Sequence, residues 1–130
     1  MQTKNIRQTA VFRASPHLVY EALMDAKLHA QFTGGKAVIS RKVGGKFSVF
    51  DGYAEGVNLE LVPDVKIVQS WRAGDWPAGH YSRAAFSLQK IEGGTKLTFS
   101  QIGVPEEQYE DVKQGWRDYY WTPMKEMLDK

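Results

Sequence analysis

Residues 104–128 read VPEEQYEDVKQGWRDYYWTPMKEML, and the spacing of their large side chains decides the fold. Tyr109, Val112, Trp116, Tyr119, Tyr120, Met124, Met127 and Leu128 recur three and four residues apart, which puts them on one face of an α-helix. Pro105, with no N–H to lose in a first turn, and Glu106 and Glu107, placed at the positive end of a helix dipole, mark the entry. The spacing therefore predicts a helix from about Pro105 to Leu128. Pro123 falls inside the pattern and cannot donate to the carbonyl of Tyr119, so a bend is expected between Tyr119 and Pro123. So long an aromatic face needs a surface to lie on.

That surface is legible just upstream. Ala84, Phe86 and Leu88 alternate with Arg83, Ser87 and Gln89, and Leu97 and Phe99 alternate with Lys96, Thr98 and Ser100. Period two with one polar face describes an antiparallel sheet covered on one side only. Turn signals at Gly44-Gly45, Asp51-Gly52, Pro63-Asp64, Gly74 to Gly79 and Gly93-Gly94 cut the middle of the chain into short segments. The strands expected are Ala37–Ser40, Lys46–Phe50, Tyr53–Val62, Lys66–Arg72, Tyr81–Ile91 and Thr95–Ile102. Farther upstream, Ile6–Arg13 alternates as one more strand and ends at Ser15-Pro16, a favoured N-cap followed by a favoured first helical residue. Leu18, Val19, Ala22, Leu23 and Ala26 follow at helical spacing, and a short second helix over Lys27–Phe32 ends at Gly34-Gly35. The fold class is α+β: a curved antiparallel sheet of six to seven strands wrapped around a long C-terminal helix.

Composition bounds the function. The 130 residues are 42% hydrophobic and 25% charged, ordinary values for a globular chain, and are read as a single domain over residues 1–130. There is no cysteine, which removes disulfides, thiolate zinc sites and cysteine nucleophiles and fits a reducing cytoplasm. Met1 to Arg7 is polar and nowhere do eighteen apolar residues run together, so neither export nor a membrane span is expected. Lys and Arg total 17 against 15 Asp and Glu, interspersed, for a formal charge of +2. That balance offers no phosphate-tracking surface, and nucleic acid is not expected as a partner.

The order strand, helix, six strands, long helix resembles the helix-grip fold of the START-like, or SRPBCC, superfamily. The residues narrow the resemblance: Gly44-Gly45-Lys46-Phe47, Asp51-Gly52, Gly56, Leu61-Val62-Pro63, Ile67 to Arg72, Trp76 to His80, Gly94 to Leu97, Gly103-Val104-Pro105 and Gly115 to Tyr120. In this order and spacing, over nearly the whole chain, they are similar to the activator of heat-shock-protein-90 ATPase homologue family. In eukaryotic members this domain is the C-terminal half of a two-domain co-chaperone whose N-terminal half carries much of the ATPase-stimulating contact. The resemblance implies the fold and an association with chaperone biology. It also implies that stand-alone members of the superfamily hold small apolar ligands between sheet and helix, a minority being cyclases or hydrolases.

The candidate site residues follow from both readings. Phe32, Phe47, Leu59, Trp71, Phe86, Leu88, Phe99, Trp116 and Tyr120 either fill a core or line a space for a hydrophobic small molecule. Trp76, in a loop rich in Gly, Pro and Asp, and His80 beside it either anchor a partner such as a chaperone or fold back on the sheet. His17, His29 and His80 lie far apart with no metal-ligand spacing, so neither a metal nor a cofactor is expected, and His17 and His29 are read as helix-surface residues. No nucleophile motif is present; Glu55, Asp75, His80, Tyr81 and Arg83 either place acid, base and donor groups near a pocket mouth or are solvated loop and strand residues, and catalysis would require several of Glu55, His80, Tyr81, Arg83 and Gln101 to point into one cavity.

Overall fold

The structure is a computed structural model that describes residues 1–129. Within them lie the strands β1 (Thr3–Phe12), β2 (Val38–Ile39), β3 (Lys46–Val49), β4 (Ala54–Val62), β5 (Lys66–Ala73), β6 (Ser82–Ile91) and β7 (Gly94–Pro105). They pair antiparallel in the order β1-β7-β6-β5-β4-β3-β2. Strands β2 to β7 follow one another as hairpins, and only β1 pairs out of sequence, closing on β7. The helices α1 (Pro16–Met24) and α2 (Ala26–Thr33) are spliced between β1 and β2. The alternation read from sequence is the alternation of burial: Ile6, Gln8, Ala10 and Phe12 of β1, Ala84, Phe86 and Leu88 of β6, and Leu97, Phe99 and Gln101 of β7 all face inward. This is the helix-grip arrangement, α+β, with the C-terminal helix on the covered face.

The first helix starts where the sequence places it. Ser15 Oγ accepts the Leu18 N–H at 3.2 Å and Pro16 occupies the first turn. Val19, Ala22 and Leu23 are buried, while Leu18 faces solvent. Asp25 ends α1 and its carboxylate caps α2 through the Leu28 N–H. Ser15→Ala removes one partner of an orphan N–H and is expected to lower stability by about 1 kcal/mol, read as a shift in the urea midpoint with an unchanged slope.

Two features of the C-terminal segment differ from the sequence reading. Helix does not begin at Pro105: β7 runs on to Pro105, which pairs with Thr3, and the Glu106 N–H extends the ladder to the Gln2 carbonyl at 3.0 Å. By then β6 has ended, since its pairing with β7 reaches only Arg83 and Ile102, so the proline interrupts no bond on that side. One 3₁₀ turn, Glu106–Gln108, then leads into α3 (Tyr109–Trp116). The second difference is at Pro123. Residues Arg117–Trp121 form a π turn, with the Thr122 N–H reaching the Arg117 carbonyl, before α4 (Thr122–Leu128) resumes. Widening the turn accommodates a proline that cannot bond to Tyr119, and it inserts one residue into the helical phase. The inward positions become Val112, Trp116, Tyr120, Trp121 and Met124, and Tyr119, expected on the inner face, is 58% exposed.

Candidate functional site

The sheet holds the C-terminal helix through two buried glutamines. The Trp116 indole N–H donates to Gln101 Oε1 at 2.7 Å. The Gln101 amide donates in turn to Ser82 Oγ at 2.9 Å, and the Ser82 hydroxyl donates to the Trp71 carbonyl at 2.8 Å. The Trp121 N–H donates to Gln8 Oε1 at 2.7 Å, and the Gln8 amide donates to the Lys113 carbonyl at 2.9 Å. Each glutamine bridges sheet and helix and leaves no indole N–H of the helix unpaired, as burial of a polar group requires. Around them the rings interlock: Trp116 lies 4.3 Å from Phe99 and 4.4 Å from Tyr120 between centroids, and Phe86 lies 5.0 Å from Phe99.

Behind Tyr120, toward α2, almost no space is left between helix and sheet. The interior void, bordered by Phe47, Ile67, Phe86, His29 and Tyr120, measures about 10 Å³, at the lower limit for a single water. His29 of α2 is 2% exposed, with Nε2 2.9 Å from the Tyr120 hydroxyl and Nδ1 without a partner. Burial pushes the imidazole down to about 4 and the Tyr120 hydroxyl above the usual tyrosine range, so both are neutral at pH 7. The expected surface position of His29 is therefore corrected. It sits three residues before Phe32, so one edge of the short α2 carries both rings inward, 4.9 Å apart.

An open cleft of about 140 Å³ lies on the other side of Tyr120. Its walls are the rings of Phe50, Tyr53, Trp71, Trp116, Tyr119 and Tyr120, and Asp75, Gln108 and Asp111 stand at its edge. The turn after β3 sets one wall. Phe50 and Asp51 adopt φ of 54° and 58°, a left-handed backbone uncommon for a bulky side chain. Two bonds hold it: the Lys36 N–H donates to the Asp51 carboxylate at 2.9 Å, and the Asp51 N–H donates to the Lys36 carbonyl at 3.1 Å. Gly35 is pressed against this turn, since a Cβ there would meet Phe50 Cα at 2.9 Å. The Tyr53 hydroxyl donates to Asp75 Oδ1 at 3.3 Å across the mouth.

The residues expected at a ligand space separate into four groups. Trp71, Trp116 and Tyr120 line the cleft; Phe47 and Phe86, with Tyr120, border the interior void. Phe32, Leu88 and Phe99 are buried and line neither. Leu59 is 43% exposed, a correction: Ala54, Gly56 and Asn58 are the inward positions of β4, so Leu59 faces out, beside a register shift between Asn58 and Glu60. Trp76 is 4% exposed, folded against Trp71 at 5.4 Å, so the loop offers no exposed indole. The Arg72 guanidinium fixes it by donating to the Trp76 carbonyl at 2.9 Å. His80 lies in the loop, two residues before β6, and its Nε2–H donates to the Gly103 carbonyl at 2.7 Å.

The groups needed for acid–base catalysis do not converge. Tyr81 donates to Glu55 Oε1 at 3.0 Å in an outward groove, Asp75 is at the cleft mouth, Arg83 faces solvent and Gln101 is sealed in the core. No group of three His, Asp or Glu able to hold a metal exists among the described residues, and none of their helices is long and apolar enough to cross a membrane. The sequence reading missed Phe50, Tyr53, Asp111, Trp121 and Gln8. The signal for Gln8 was present, in its inward strand position between Ile6 and Ala10, whereas Trp121, five residues from Trp116, reaches the inner face only through the π turn.

Residues 13–129 match the family model described as Activator of Hsp90 ATPase homolog 1-like protein. The Activator of 90 kDa heat shock protein ATPase homolog 1 of Homo sapiens and that of Mus musculus are each 32% identical over 124 residues, 95% of this chain and 37% of theirs. The chain thus spans little more than a third of the length of these curated relatives. A crystal structure of an HSP90 activator from Plasmodium falciparum superposes with a TM-score of 0.90 at 26% identity, covering 95% of this chain and 94% of that one. The solution structure of the Aha1 dimer from Colwellia psychrerythraea shares the fold, with a TM-score of 0.83 at 20% identity over 97% and 96% of the two chains. The chain belongs to the Activator of Hsp90 ATPase homolog 1-like family.

Proposed function

We propose that residues 1–130 act as a single non-catalytic domain of the cytoplasm that binds a chaperone of the heat-shock-protein-90 class. The observation that carries this reading is the filled interior. A void of about 10 Å³ and an open cleft of about 140 Å³ leave no room between helix and sheet for a large hydrophobic cargo, and the titratable groups are dispersed, which favours action through the surface. Its outward face presents Val38, Leu59 and Tyr81. The names carried by the curated relatives supply the class of partner.

Calorimetric titration of the chain into the chaperone, with ATP turnover followed in parallel samples, tests it. Saturable heat at micromolar concentrations is the expected result, and the turnover measurement separates binding from stimulation. Absence of heat, together with no retention of the chain on immobilised chaperone, would overturn the reading. A carrier of hydrophobic molecules would instead bind a panel of lipophiles with a change in tryptophan fluorescence, which the packed interior argues against.

A further inference from the structure

We propose that the cleft beside α3 binds a small alkylated ammonium cation, held by the rings of Phe50, Tyr53, Trp71, Trp116, Tyr119 and Tyr120 and by the carboxylates of Asp75 and Asp111. Six aromatic rings line one concavity, and the electron-rich face of each attracts a positive charge by about 0.5–2 kcal/mol depending on exposure. The charged residues of the lining are both acidic, and no Lys, Arg or His is among its residues. Asp111 has no ion pair or hydrogen bond among the described residues, and Asp75 accepts only the long bond from Tyr53, so both carboxylates have lone pairs to spare. Of the basic side chains adjacent in sequence to the lining, the Arg72 guanidinium is 5.9 Å from the Tyr81 ring and bonded to the Trp76 carbonyl, the Lys113 ammonium is 5.5 Å from the Tyr109 ring, and Arg117 is exposed.

Size and wall chemistry narrow the ligand further. About 140 Å³ is well under the ~300 Å³ at which drug-sized pockets begin, so the cleft suits a head group and not a chain. Walls of aromatic carbon offer few acceptors to replace the water around a primary ammonium, whereas an alkylated one presents methyl groups to the rings and sheds less hydration. The strained Phe50 fits this use. Its left-handed backbone is held by Asp51 and places its ring 5.9 Å from Tyr119 and 5.7 Å from Tyr120, completing the enclosure. The inference stands independently of the chaperone reading.

Choline is the probe, titrated into the intact chain against its neutral isostere, in which carbon replaces the quaternary nitrogen, at constant ionic strength. Tryptophan fluorescence and calorimetry are expected to show saturable choline binding, with the isostere about tenfold weaker. Asp111→Asn and Tyr119→Ala, both at exposed positions and checked for folding by circular dichroism, are expected to weaken choline binding about fivefold each. Equal binding of the isostere, indifference of both variants, or no saturation with choline below ~100 mM, the weakest affinity worth the name of a site, would overturn the proposal.

Discussion

Trp116→Ala is expected to lower the free energy of unfolding by about 4 kcal/mol, measured by urea denaturation. The ring is 3% exposed and packs on Phe99, Tyr120, Trp71 and Phe86, so its removal forfeits transfer free energy and opens a cavity in a core that cannot collapse around it. It also strands Gln101 Oε1, whose donor is the indole N–H, inside the protein. An unpaired buried acceptor costs about 1–3 kcal/mol, and the whole fold of a domain this size rests on about 5–15 kcal/mol. The variant should therefore sit near its unfolding threshold at 37 °C. Trp116→Phe keeps the larger part of the packing while losing the donor and the rest of the indole, and about 2–3 kcal/mol is expected. Adding Gln101→Leu to that variant should then recover part of the loss, since the stranded Oε1 is removed while the Ser82 hydroxyl, which loses the Gln101 donor, keeps its own bond to the Trp71 carbonyl. A cost below about 2 kcal/mol for Trp116→Ala would mean that the sheet does not hold the helix through this ring.

The same residue shows what the sequence makes legible. Trp116 belongs to a three-four repeat, and its partners Phe86 and Phe99 belong to period-two strands, so the pairing of helix and sheet follows from local periodicity. The Ser15 cap is equally local. Errors arise wherever a single residue shifts a phase. The π turn at Arg117–Trp121 moves Tyr119 to solvent and Trp121 to the core, and a register shift accompanies the outward Leu59 of β4. Pro105 carries both helix-entry and strand-end signals, and the pairing with Thr3, a hundred residues away, decides between them. The cleft is harder still. Its walls come from the turn after β3, from β5, from the loop after it and from α3, and no spacing in sequence brings Phe50, Asp75 and Asp111 together. Trp76 illustrates the complement: a loop tryptophan reads as exposed until Trp71 offers it a surface.

Stability is expected to fall as the pH drops from about 6.5 toward 4, by roughly 2–3 kcal/mol attributable to His29. Burial depresses the folded imidazole to about 4, whereas in the unfolded chain it titrates near ~6.5. Between those values the unfolded state binds a proton that the folded state refuses, so acid favours unfolding; above about 6.5 both states are neutral, and below about 4 both are protonated and the loss levels off. The geometry explains why no partner rescues the charge. One ring nitrogen faces the Tyr120 hydroxyl, the other has no partner, and the ring is surrounded by Phe32, Phe50 and Tyr120. His29→Gln keeps a polar group without a titration in this range, so the wild-type stability minus that of the variant isolates the effect from other acid-sensitive groups. That difference should fall steadily from pH 7 to 4, and a difference independent of pH would exclude the buried neutral imidazole. Because Tyr120 forms part of the cleft wall, protonation of His29 disturbs the hydroxyl that holds this wall in place. Choline affinity should therefore be unchanged over most of that interval and weaken in wild type only as the pH nears about 4, where the folded imidazole takes up its proton, and by more than in His29→Gln.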